Sequence, residues 1–210
     1  MNMYRLLCLL SVFFYFSFLS TAQTNAITEY GEHVILYDNG TWVSENNDNF
    51  SSKIEINSTP FFKKWNSSFL MKSKINNSAI WMNMDNWEIQ ETTNDDAEYE
   101  FKYKHGDLYC LIINEEVDIP VESLADIAFE TMKDSSFNPQ IVKKEYRTVN
   151  GRKVLHMIID ATASGIDFRY SNYYYSDNSG CTQICTFTSQ NLMDKYFNAS
   201  QDLLNGFDDY

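Results

Sequence analysis

Residues 148–187 constrain the fold of this chain more than any other stretch, because they read as consecutive β-strands joined by tight reversals. Val149-Asn150-Gly151-Arg152 is an Asn-Gly turn, the strongest short hairpin signal, since both central positions need a positive φ that Asn and Gly tolerate. Residues 154–161 follow as a nearly continuous apolar run, and 166–175 as an aromatic, alternating one. Asp177-Asn178-Ser179-Gly180 turns the chain again, and residues 181–187 return as a further strand. This meander predicts the centre of an antiparallel sheet, with the flanking segments as its covers.

Those flanks divide by period. Tyr99, Phe101 and Tyr103 alternate with charged residues, and His105-Gly106-Asp107 turns this strand into the more apolar 108–113. Pro120 and Glu122 mark a helix start, and Val121, Leu124, Ala125, Ala128, Phe129 and Met132 recur at helical spacing to about residue 133. Residues 141–149 alternate apolar with charged, which predicts a half-exposed strand with Lys143, Glu145 and Arg147 outward. A closing helix is expected over 191–205, with Ser189 as N-cap and Gly206 past its end. Residues 61–75 mix apolar and basic side chains and suit a short amphipathic helix. The fold class read from this order is α+β: an antiparallel β-sheet of about six strands, mostly meander, with helices packed on its faces.

The first residues carry an address. Arg5 precedes an apolar run from Leu6 to Leu19, and Ser20-Thr21-Ala22 places small residues where a signal peptidase needs them. Fourteen residues rise about 21 Å as a helix, short of the ~30 Å hydrocarbon core. We therefore expect a signal peptide over 1–22, cleavage after Ala22, and a secreted or periplasmic product without stable membrane insertion. Residues 23–43 read as an N-terminal β-hairpin segment turning at Asp38-Asn39-Gly40, and 44–60 as a flexible Asn/Ser-rich linker. The main domain is expected over 61–207. Residues 34–42 resemble the short Asp-Asp-Gly-Thr-Trp hairpin found after the signal peptide in many secreted proteins of Gram-negative bacteria, with Trp42 free to pack on the main domain or on a partner.

A second resemblance spans about residues 65–207. Ala97-Glu98-Tyr99-Glu100-Phe101, Asp107-Leu108-Tyr109, a helix, Asn150-Gly151 with its apolar strand, the tyrosine-rich 166–175, Gly180 to Phe187 and a closing helix follow the order of the PsbP-like fold superfamily. The resemblance implies a central antiparallel sheet with helices on its faces. It implies a noncatalytic binding or accessory role in the bacterial cell envelope and no shared activity, because fold alone does not fix function.

Among the 210 residues the net charge of −13 argues against nucleic acid and against an anionic lipid surface. The three histidines are far apart, no Cys-x-x-Cys or calcium loop is present, and no cofactor motif stands out, so neither a metal nor a cofactor is expected. Ala163-Ser164-Gly165 lacks the first glycine of a nucleophile elbow. Cys181 and Cys185 lie about 13 Å apart along one strand and cannot join each other. Cys110 has two outcomes: a disulfide to Cys181 or Cys185, or three buried thiols. Cys181 with His156 is the one nucleophile and base combination, and an unrecognised hydrolase using that pair is the alternative function. For binding, Arg169, Tyr173 and Tyr175 share one face of their strand and have the composition of a contact surface. They are expected, with Trp42, to meet an unknown envelope protein or a small apolar ligand.

Overall fold

The computed structural model describes residues 23–28, 33–37, 42–44 and 54–210. It divides into two units, residues 1–52 and 53–210. In the first, β1 (Gln23–Ile27), β2 (His33–Tyr37) and β3 (Trp42–Ser44) form an antiparallel three-stranded sheet, with Leu36 opposite Trp42. The hairpin expected there gains a strand on its N-terminal side. Its turn residues, the ring of Trp42 and the signal sequence lie outside the described residues.

The second unit is built on one large sheet. Its strands are β4 (Glu55–Phe61), β7 (Trp87–Gln90), β8 (Tyr99–Tyr103), β9 (Tyr109–Glu115), β10 (Phe137–Val149), β11 (Arg152–Ala163), β12 (Ile166–Asp177) and β13 (Gly180–Ser189). A smaller sheet contains β5 (Phe69–Lys72), β6 (Ser78–Met82) and β14 (Phe207–Asp209). The large sheet runs β4-β10-β11-β12-β13-β9-β8-β7. It has eight strands and is mixed, because β4 lies parallel to β10 while its other neighbours pair antiparallel. The expectation of about six antiparallel strands is corrected accordingly.

The meander is present at its core. Asn150 and Gly151 both take positive φ, 47° and 87°, as a two-residue turn that follows strand twist requires. Ser164 and Gly165 form a second such turn at 51° and 80°, so the segment compared with a nucleophile elbow is a hairpin loop. Asn150 also ties distant chain ends together. Its side-chain amide donates to the carbonyls of Asn205 and Phe207 at 2.9 and 2.7 Å, and its Oδ1 accepts from the Lys63 N–H at 3.0 Å.

Each face of the sheet has its own core. On one, α1 (Val121–Ser135) covers Tyr146, Leu155, Met157, Ile159, Tyr174 and Cys181 with Leu124 and Ala125. On the other, α2 (Met193–Leu204) and the small sheet bury Phe101, Ile112, Val154, Tyr173, Ile184, Leu203 and Phe207. A 3-10 turn over Gln190–Leu192 precedes α2, and Ser189 makes no capping hydrogen bond. Two further expectations fail. Residues 55–60, read as linker, belong to β4, which is held by backbone pairing to β10 and, at its end, by Phe61 packed against the core. Residues 61–75 are no helix: they form a loop, β5 and a turn.

Candidate functional site

The charged residues of β10 lead inward. Glu145 and Arg147 are 4% and 6% exposed, although their alternation predicted a solvent face. Both are covered because Gln201 of α2 and the side chains of Asn57 and Phe61 from the neighbouring β4 meet them on that side. Arg147 donates through Nε to Glu145 Oε1 at 2.6 Å and through Nη1 to Gln201 Oε1 at 2.6 Å and Tyr173 Oη at 3.0 Å. Its guanidinium lies 4.6 Å from the centre of the Phe61 ring. Gln201 Nε2 donates to Ser171 Oγ at 3.2 Å, and Ser171 contacts His156 Nε2 at 2.9 Å. His156 Nδ1 faces Glu145 Oε1 at 3.5 Å, too long for a good hydrogen bond, and the Nδ1 atom has no hydrogen-bond partner. These five residues close a ring.

The electrostatics of that ring follow from burial. His156 is fully enclosed; burial first, and Arg147 second, push its pKa down to about 3. Burial alone would raise the Glu145 carboxyl, but Arg147, Lys143 and Asn57 outweigh it and hold the pKa at about 2. The pair is therefore a neutral imidazole beside a carboxylate at physiological pH, sealed from any substrate. This assembly is a structural one.

The expected site residues fall as follows. Arg169, Tyr173 and Tyr175 do share a face, but it is the face covered by α2 and β14. Tyr173 is 1% exposed and donates to Asn205 Oδ1 at 2.8 Å, which corrects its assignment to a partner surface. Tyr175 packs on Phe207, ring centres 4.9 Å apart, and donates to Asp209 at 2.7 Å. Arg169 is taken up by Asp160 in a bidentate pair at 2.6 Å for both bonds. Trp42 stands in β3 opposite Leu36, and its ring is outside the described residues.

Cys110, Cys181 and Cys185 are free thiols. Cys110 stands opposite Thr186 while Cys185 stands opposite Leu111, so the two-residue period sends Cys110 to the α2 face and Cys181 and Cys185 to the α1 face. Of the two outcomes left open for Cys110, that alternation disfavours a disulfide to Cys181 or Cys185 and leaves three thiols. It also separates Cys181 from His156, which lies on the α2 face, and the proposed hydrolase pair is lost. Burial, with Glu115 second, pushes the Cys181 thiol up to about 12, and burial does the same for Cys185, so neither offers a thiolate at neutral pH. Among the described residues, no group of three or more His, Cys, Asp or Glu side chains is placed to hold a metal ion, and no helix is long and apolar enough to cross a membrane.

What remains outward is a feature the sequence concealed. In the loop after β4, Phe62 is 66% exposed and Trp65 92%. The backbone beneath them is pinned. Lys63 N–H bonds Asn150, Asn150 N–H bonds the Phe61 carbonyl at 2.9 Å, and Ser67 N–H bonds the Lys64 carbonyl at 3.0 Å. The neighbouring cations are occupied: Lys63 Nζ lies 4.5 Å from the Trp81 ring centre, and Lys64 pairs with Asp202 of α2 at 2.6 Å. Asp202 in turn lines a cleft of about 320 Å³ between α2 and the β7–β8 hairpin, walled by Trp87, Tyr103, His105 and Tyr196. Local pattern could not reveal this loop, since Phe and Trp are ordinarily core residues and only the completed fold leaves these two outside.

The architecture has known counterparts. No protein-family model and no curated protein matches the sequence. Among solved structures, the cyanobacterial PsbP (CyanoP) of Synechocystis sp. PCC 6803 superposes with a TM-score of 0.54 at 10% identity, covering 68% of this chain and 92% of its own. The chain has a PsbP-like fold. Weaker likenesses are LpqN of Mycobacterium tuberculosis, described as involved in cell envelope biogenesis, and a Pseudomonas aeruginosa protein described as a putative regulator. LpqN scores 0.47 at 10% identity over 66% of this chain and 88% of its own. The Pseudomonas protein scores 0.42 at 8% identity over 65% and 93%.

Proposed function

We propose that this chain is a noncatalytic binding or accessory protein of the bacterial cell envelope, secreted or periplasmic, which engages a protein partner through the Phe62–Trp65 loop. The observation that carries this reading is a tryptophan left 92% exposed on a backbone fixed from both sides. Tryptophan dominates the energetics of protein contacts when it enters a pocket, and a loop already held in place loses little entropy on binding. With Lys63 and Lys64 engaged within the domain, the loop offers rings more than charge, which suits an apolar pocket on the partner. A small apolar ligand is the lesser reading, because Asn86, His105, Lys195, Asn198 and Asp202 make the cleft strongly polar. The signal-peptide pattern read over residues 1–22, Arg5 before the apolar 6–19 and then Ser20-Thr21-Ala22, supports the location.

Capture from native envelope extract tests both parts. The mature bait should begin at Gln23 by intact mass, and it should retain a partner that the Trp65→Ala variant loses roughly 30-fold or more. Retention of residues 1–22 would contradict the location. An unchanged capture profile with Trp65→Ala would contradict the surface.

A further inference from the structure

The cleft beside the loop has a chemistry of its own. Of its two charged side chains, Asp202 is paired with Lys64 at 2.6 Å, and the Lys195 ammonium donates to the neutral Tyr196 hydroxyl at 3.0 Å while lying 4.7 Å from that ring's centre. Among the described residues, the side-chain amides of Asn86 and Asn198 and the imidazole of His105 make no hydrogen bond to protein. Each of these planar groups offers both a donor and an acceptor. They surround a wall of packed rings, with Trp87 tilted on Tyr103 at 5.3 Å, and Tyr103 edge to face with His105 at 5.2 Å and with Tyr196 at 6.0 Å. Gly106 permits this wall, because a Cβ there would collide with the Tyr196 hydroxyl.

We propose that this cleft binds a neutral saccharide of one or two rings. Vicinal hydroxyls and an acetamido group match amides that donate and accept together, and the C–H face of a pyranose packs on an aromatic side chain. The volume of about 320 Å³ stands at the low end of ligand sites, which run from about 300 to 1,000 Å³. A phosphorylated or nucleotide ligand fits poorly, since the cleft holds a single lysine and the chain carries a net charge of −13. This site is independent of the Trp65 reading, and the variants keep the two apart.

The test is an NMR titration of the full mature chain with N,N′-diacetylchitobiose, and in parallel with cellobiose, to about 20 mM, the range for weak single-site affinity. Saturable shifts of Asn86, Tyr103, His105 and Asn198 with either sugar are expected. Asn198→Ala and Asn86→Ala, both surface changes, should each weaken binding roughly 5-fold. Trp65→Ala should leave it unchanged. No saturable shift with either sugar, shifts centred elsewhere, or an affinity unchanged from the parent in both asparagine variants overturns the proposal.

Discussion

Replacing Arg147 with methionine is expected to destabilise the 53–210 unit by about 3–5 kcal/mol, the usual cost of removing one partner of a buried ion pair. The cause is what the arginine leaves behind. Glu145 keeps Lys143 at 3.0 Å and two long contacts to Asn57 at 3.4 Å, but loses its 2.6 Å bond from Arg147 Nε. Gln201 and the Tyr173 hydroxyl lose a donor, and Phe61 loses the cation over its ring. At about 2–4 °C per kcal/mol for a domain of this size, the melting temperature should fall by roughly 10 °C. Adding Glu145→Gln to Arg147→Met should recover part of the loss, because the stranded charge is gone. A single variant within about 2 °C of the parent would mean that the pair carries little.

Acid should weaken the fold in two stages. His156 has a pKa of about 3 folded and 6.5 as the ordinary value, so the unfolded chain takes up the proton first. Stability from this group is complete above pH 6.5 and declines as the pH falls towards 3. The loss by pH 5 is about 2 kcal/mol, given about 1.4 kcal/mol per pH unit of unmatched protonation. Glu145, at about 2 folded against 4.5 ordinarily, contributes above pH 4.5 and loses that contribution as the pH falls through 2. Both act in one direction. Melting curves from pH 7.5 to about 2 should show the His156 stage abolished by His156→Gln and the Glu145 stage, below pH 4.5, retained. The same slope in parent and variant between pH 6.5 and 5 would refute the assignment.

The sequence reveals the parts of this fold that depend on local pattern. The Asn150-Gly151 turn, the apolar run of β11 and the helical spacing of α1 each declare themselves within a dozen residues. Strand β4 does not, because its order comes from parallel pairing to β10, about ninety positions later, and its side chains are mostly exposed. Glu145 and Arg147 mislead for a related reason. Alternation shows which residues share a face, not whether that face is wet, and here α2 covers the charged side. The same blindness turned Tyr173 into a surface residue and hid Phe62 and Trp65 among core-like aromatics. The cleft is assembled from α2 and the β7–β8 hairpin, which no short window of sequence brings together.

The central claim is that recognition resides in the Phe62–Trp65 loop and that the tyrosines of β12 serve the interior. It is tested most directly by fluorine NMR of the chain labelled with 5-fluorotryptophan, with Trp65→Phe assigning the signal. In the free protein the Trp65 resonance should show the full solvent isotope shift of an exposed indole, and on adding the captured partner it should lose that shift while Trp81 and Trp87 stay in place. A Trp65 signal that stays solvent-shifted when the partner is bound would contradict the account.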